Sequence, residues 1–335
     1  MRNPNGQIMR TYRVPILLAG CVLIVAAPLL VYPIFLMKVL CFALFAAAFN
    51  LLMGYTGLLS FGHSAFFGGS AYVAAYAAKS WGLPAEVAIL LGTLSGVILG
   101  LVFGWVGIRK QGIYFGMITM AMAQVVYFIA VQAPFTGGED GIQGVPRSSL
   151  IPGVDLSNDL QMYFFTLAVT ILGLAIVYRT VNSPFGEIIR SIRENEQRAE
   201  SLGYDVRRFK LMAFTISAAL TGTAGSLKAI AMQLATLNDV EFFMSGEVVL
   251  IVLIGGVGTM SGPMIGAAIM ITMQHYLASF GIWVKAIQGL IFVICVLAFR
   301  KGIVGELSDW LERRSSAGLT EPASSAGQPQ QLAGH

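Results

Sequence analysis

The chain has 335 residues, 56% of them hydrophobic and only 11% charged, with a formal net charge of +4. A soluble domain needs about 25% charged residues to face water, so a water-soluble globular protein is excluded, in agreement with the mean hydropathy of +0.75. Nor does the positive charge point to nucleic acid, because the basic residues are segregated by loop rather than gathered on one polar face.

Arg2, Arg10 and Arg13 precede the first apolar stretch, 14–32. That stretch exceeds the roughly 7–15 residues of a cleavable signal core and leads through Pro33 into another apolar run, so an uncleaved first span is expected. In chain order the spans fall at about 14–32, 33–53, 64–80, 84–107, 112–133, 161–178, 210–232 and 281–299, close to the 20 or so residues a bilayer-crossing helix needs. Cys21, Cys41 and Cys295 each lie inside an apolar run, without metal-ligand spacing, and read as inert thiols. No cofactor or metal is implied.

Orientation follows from the loops. Most Lys and Arg fall before the first span, at Arg109 and Lys110, in the long loop 179–210, and after the last span. Segments 134–160 and 233–247 carry Glu139, Asp140, Asp155, Asp159, Asp239, Glu241 and Glu247 against the single Arg147. Excess Lys and Arg mark the cytoplasmic side, which puts both termini inside. Residues 1–13 then form a cytoplasmic arm and 14–300 the membrane domain. The tail, 301–335, is largely too polar to bury a core and is expected to be disordered.

Two apolar regions are interrupted in the same way. Residues 54–62 read GYTGLLSFG and 255–263 read GGVGTMSGP, sharing G-x-x-G-x-x-S at an offset of 201. Glycine destabilises a helix interior by about 1 kcal/mol relative to alanine, and proline breaks it more strongly. In lipid such breaks persist where protein or a water-filled cavity satisfies the freed backbone. Two readings stand: close helix packing, or a transport pathway marked by corresponding breaks. Pairing 247–258 with 260–279 as a re-entrant element keeps Arg300 and Lys301 inside. The expected fold is an all-α polytopic bundle of about 8–10 transmembrane helices with this broken element and a cytoplasmic helix.

That helix lies in SPFGEIIRSIRENEQRAESLG, 183–203. Ser183 is an N-cap, Pro184 suits the first helical position, Glu187 favours the positive end of the dipole, and Gly203 suits a left-handed stop. A helix over 184–202 follows, with Phe185, Ile188, Ile189, Ile192, Ala199 and Leu202 as an apolar stripe. Asp205 caps the next span. Too short and polar to cross a bilayer, the helix can lie on lipid headgroups, pack on its own protein, or dock in a partner's groove. The near balance of charge across 179–210 favours docking over lipid.

GYTGLLSFGHSAFFGGSAYVAA (54–75), QGIYFGMITMAMAQ (111–124), TGGEDGI (136–142), the run 183–214 and LIGGVGTMSGPMIGA (253–267) together resemble the LivM type of branched-chain amino acid permease, over roughly 35–300. These are membrane subunits of ATP-binding-cassette importers of the bacterial inner membrane. The resemblance implies a related LivH-type permease partner, two cytoplasmic ATP-binding subunits and a periplasmic solute-binding protein. It likens the cytoplasmic helix to a coupling helix, with Glu194, Asn195, Glu196, Ala199, Glu200, Leu202 and Gly203 in an ATPase cleft. No G-x-x-x-x-G-K-[ST] phosphate loop is present, so the chain is not expected to hydrolyse ATP itself. Alternating access would carry branched-chain amino acids or related small polar substrates. Polar side chains inside spans nominate Asn50, Tyr55, Thr56, Ser60, His63, Ser64, Gln124 and Tyr127 for the pathway.

Two rival functions are weaker. An ion-coupled secondary transporter needs mid-membrane carboxylates, and the nearest, Glu86 and Glu247, fall at span boundaries. An embedded enzyme has little support, since His63, His275 and His335 are scattered and neither H-E-x-x-H nor G-x-S-x-G occurs.

Overall fold

A computed structural model describes residues 27–28, 31–149, 155–298 and 302–306. Most of the expected first span, the arm 1–13 and nearly all of the tail 301–335 lie outside the described residues.

The helices, in order, are α1 Pro33–Asn50, α2 His63–Ser80, α3 Ala85–Gly107, α4 Ile113–Gln132, α5 Asp159–Val181, α6 Pro184–Glu194, α7 Glu196–Ser201, α8 Val206–Met232, α9 Phe242–Gly255, α10 Gly262–Leu277 and α11 Val284–Ala298. The fold is an all-α bundle. A single two-residue antiparallel pair occurs among the described residues: β1 Ile142–Gln143 against β2 Leu234–Ala235. Among the described residues, four segments are long and apolar enough to cross a membrane by length and composition: Pro33–Thr56, Ala85–Gly107, Ile113–Gln132 and Asp159–Val181. Apart from 14–32, which lies almost wholly outside the described residues, the expected spans agree with the helices to within a few residues, and the broken element is the pair α9 and α10.

α1 occupies the centre. Pro33 starts it where a missing N–H costs nothing, and every residue from Cys41 to Leu52 is buried. α5, α8, α9 and α10 pack around it, and α2 reaches it through the Phe45–Phe67 and Phe49–His63 ring contacts. The closest packing in the bundle is α3 on α8, and glycine makes it possible. Gly92, Gly96, Gly100 and Gly104 recur every four residues along one face of α3. A Cβ on Gly96 would lie 2.9 Å from the Ala218 carbonyl oxygen and 3.1 Å from the Gly222 Cα. A lipid environment gives no hydrophobic drive between helices, so this backbone approach, with its dispersion contacts, holds the pair.

The acidic end of the bundle is pinned from within. Arg147, the lone basic residue of its segment, is buried. It donates to Asp159 Oδ1 at 2.7 Å and to the carbonyls of Ile230 and Ala231 in the last turn of α8, where helix carbonyls run short of backbone donors. Segment 236–240 then turns inward instead of staying at the surface. Asp239 is 3% exposed and accepts from Lys228 Nζ at 2.6 Å, from Thr236 Oγ1 at 3.0 Å and from Thr236 N at 3.3 Å. The segment seats in a notch at Gly68, where a Cβ would come within 2.6 Å of the Val240 nitrogen. Sequence reading treats Asp239 as a loop carboxylate; the structure makes it half of a buried ion pair.

Candidate functional site

The two glycine breaks meet at the basic end of the bundle. α1 does not stop at Asn50 but continues as a π-helical turn, Leu51–Thr56. Gly57 ends it at φ 76°, and its counterpart at the shared offset, Gly258, sits at φ 77° in the turn between α9 and α10. Both need the left-handed region that only glycine enters freely. Asn50 joins the turns: its Oδ1 accepts from Gly258 N at 2.9 Å and its Nδ2 donates to Thr259 O at 2.9 Å. Gly54 permits this approach, since a Cβ there would stand 2.7 Å from Gly258 N. Thr259 completes the second turn, donating to Gly256 O at 2.8 Å and accepting from Gly262 N at 3.1 Å. The backbone groups freed by both breaks are thus largely satisfied by protein, as a membrane interior demands.

The polar segment below is two helices, not the single helix expected over 184–202. Asn195 leaves helical geometry at φ −156°, ψ 101°, and its Oδ1 caps α7 by accepting from Arg198 N at 3.0 Å. An asparagine followed by Glu196 is a helix start, and the preference of Asn for caps over helix interiors explains the break. The expected caps hold: Ser183 accepts from Gly186 N, Asp205 accepts from Arg208 N, and Gly203 sits at φ 89°.

Apart from Leu202, which faces outward, the expected apolar stripe turns inward. Ile189, Ile192 and Ala199 are buried against the protein's own bundle, with Val181, Val206 and Phe209 as neighbours. Phe185 packs on Phe209 with ring centroids 5.7 Å apart. Of the residues expected to dock, Glu194, Asn195, Glu200, Leu202 and Gly203 face outward, Leu202 at 71% exposure. Ala199 and Glu196 depart from that expectation. Ala199 fills the core beneath α7, and Glu196 bonds Lys210 Nζ at 2.6 Å, tying α7 to α8.

Between α6 and the glycine turns lies a cleft of about 540 Å³ bordered by Gly54, Tyr55, Arg190, Arg193, Glu194 and Gly258. Arg190 lies over the Tyr55 ring, 5.1 Å from its centroid. Arg193 Nη1 donates to the Gly54 carbonyl, an acceptor exposed by the end of the π turn.

The eight polar residues nominated from the sequence divide accordingly. Asn50 and Tyr55 belong to the clasp and the cleft. Thr56 bonds its own helix at Leu51 O, 3.2 Å, and Ser60 accepts from Gly62 N at 3.2 Å. Ser64 N donates to Ser245 Oγ at 2.8 Å. His63 is fully buried among Phe49, Phe66 and Phe214. Ser217 gives its only hydroxyl proton to Ala48 O at 2.5 Å, so it can only accept from His63 Nε2, 2.9 Å away, which fixes the tautomer. His63 and Ser217 together lace α1, α2 and α8. Gln124 and Tyr127 are half-buried on α4 and do not border the cleft. Sequence reasoning missed Arg193, Ser217 and Ser245. Arg193 had been read only as a marker of sidedness, and the two serines carry no pattern of their own.

The family described as branched-chain amino acid transport system / permease component matches residues 32–296. The chain is similar to the high-affinity branched-chain amino acid transport system permease protein LivM of Escherichia coli strain K12, 25% identical over 298 residues, 82% of this chain and 70% of that one. It is also similar to the probable LivM of Methanocaldococcus jannaschii, at 24% over 62% of this chain and 60% of that one. The autoinducer 2 import permease LsrC of Enterobacter sp. strain 638 is 28% identical over 64% of this chain and 63% of its own. No solved structure matches.

Proposed function

Since this chain belongs to the family of permease components of branched-chain amino acid transport systems, and is a multi-pass subunit of an ATP-binding-cassette importer, we propose that it translocates branched-chain amino acids across the bacterial inner membrane. In this reading it pairs with a LivH-type permease and receives substrate from a periplasmic binding protein. Both termini face the cytoplasm, as the distribution of Lys and Arg requires. Two ATP-binding subunits, separate chains, supply the energy, and one of them docks on α6 and α7 of this chain. A relative named as a probable LivH permease, 26% identical over 44% of this chain, supports the related partner. The family match displaces the ion-coupled alternative.

The observation that carries the docking assignment is the division of labour across α6–α7. Their apolar face is spent on the bundle, while Glu194, Asn195, Glu200 and Leu202 project from the opposite face. Exposed Leu202 together with exposed Glu194, Asn195 and Glu200 supports a partner surface that mixes one apolar anchor with polar contacts. The cleft at Tyr55 is proposed as the cytoplasmic mouth of the pathway, reached by alternating access. Only a partner that binds the two states unequally can drive that exchange, which is the task assigned to the ATP-binding subunits.

Reversing charge at Glu194→Arg with Glu200→Arg tests the assignment and leaves the Glu196–Lys210 bond intact. Co-purification in detergent should show at least a ~10-fold loss of ATP-binding subunit, a size typical of disrupting paired charges in an interface, with unchanged membrane insertion. Retained association and uptake would sink the docking role. For the importer itself the measurement is substrate uptake into proteoliposomes with and without the ATP-binding subunits. Uptake driven by an ion gradient in their absence would overturn it.

A further inference from the structure

Arg193 bonds the first glycine turn and borders the second across the cleft. Its Nη1 donates to the Gly54 carbonyl in the π turn. Its stem covers Gly57, where a Cβ would press on the Arg193 Cγ at 2.9 Å, and Nη1 lies 3.8 Å from where a Gly258 Cβ would stand. Asn50 then links that π turn to the α9–α10 turn through two hydrogen bonds of 2.9 Å. α6, the end of α1 and the α9–α10 hinge are therefore connected in series by directional bonds.

Arg190 adds a long bond to Val181 O, 3.4 Å, and lies over the Tyr55 ring, but neither contact reaches the glycine backbone. The remaining contacts of α6 with the bundle are of a different kind. Ile189 packs among Ala48, Leu51, Val177 and Val181, and Phe185 on Phe209. Apolar contacts are non-directional and tolerate sliding, whereas a guanidinium bonded to a fixed carbonyl carries displacement along the bond. What it pulls on is also suited to move. A π turn is an irregular stretch of helix found often at functional sites, and glycine at 57 and 258 imposes few backbone barriers.

We propose that Arg193 is a positioning residue that transmits movement of the docked helix α6 to the paired glycine turns, opening or closing the cleft at Tyr55. The proposal rests on the reading of α6–α7 as the docking element for ATP-binding subunits.

The test uses the complete importer in proteoliposomes, with ATP hydrolysis and substrate uptake measured on the same preparation. Arg193→Ala should retain the ATP-binding subunits and hydrolyse ATP near the wild-type rate, while uptake per ATP falls by about 10-fold, within the range of coupling between two sites. Arg193→Lys, which keeps the charge and one donor, should fall between. Leu94→Ala, 54% exposed on α3 and remote from both the turns and the docking face, should match wild type. Uptake per ATP unchanged in Arg193→Ala overturns the proposal, and so does a proportional fall of hydrolysis and uptake, which marks a merely structural or docking role. Should Arg193→Ala not assemble, Arg193→Lys and Asn50→Ala decide: normal uptake per ATP in both refutes the link. A wild-type complex that takes up substrate without ATP refutes the docking reading instead, so the two failures are separable.

Discussion

Lys228→Ala is expected to destabilise the protein by about 3–5 kcal/mol, the usual effect of stripping one member from a buried pair. Asp239 would then remain 3% exposed beside only the Thr236 donors, with its charge uncompensated among apolar helices. The cost lies in that stranded carboxylate more than in the lost attraction, and a double variant can show this. Lys228→Met with Asp239→Asn removes both charges, keeps an acceptor for Thr236, and should recover most of the stability. Thermal unfolding in detergent reads both variants. A double variant as unstable as Lys228→Ala would mean that the pair itself, and not the stranded charge, holds segment 236–240 against Gly68.

Gly96→Val should damage the bundle comparably, by about 3 kcal/mol or more, at the upper end of overpacking effects. Its Cβ would meet backbone on α8, the Ala218 carbonyl at 2.9 Å and the Gly222 Cα at 3.1 Å, besides the Ser70 hydroxyl at 3.0 Å. Backbone cannot rotate away as a side chain can, so α3 must separate from α8 along much of its length. The expected result is a lowered melting temperature and a polydisperse size-exclusion profile. Leu94→Ala, on the outward side of the same helix at 54% exposure, should leave both unchanged. Equal loss in the two variants would show that α3 depends on its outward side as much as on the glycine face.

The helices themselves were legible because lipid imposes a simple rule: a long apolar run between polar or glycine-rich segments is a helix. The run expected at 84–107 is α3, Ala85–Gly107, and that expected at 112–133 is α4, Ile113–Gln132. The cytoplasmic caps were legible for the same local reason, since Ser183, Asp205 and Gly203 each act within three residues of themselves. The break at Asn195 was obscured by periodicity, because Ile192 and Ala199 stay seven residues apart on one buried face through it. What no single stretch could reveal was pairing across the chain. The two glycine breaks announced themselves as similar, but their contact depends on Asn50 reaching residues 208 and 209 positions away. Asp239 reads in sequence only as one of the carboxylates of segment 233–247, and its pairing with Lys228 depends on the notch at Gly68 that seats the segment inside.

α9 and α10, of 14 and 16 residues, set an order on how the molecule is made. At 1.5 Å per residue each is about 21–24 Å long, short of the roughly 30 Å hydrocarbon core. Neither is a good independent substrate for insertion. Their turn also carries the Gly258 amide and the Thr259 carbonyl, which take their bonds from Asn50 at the end of α1. The hairpin therefore enters the bilayer stably only against an α1 already in place. Biogenesis must run from the amino-terminal helices toward the carboxyl-terminal ones, with the hairpin seated late as a unit.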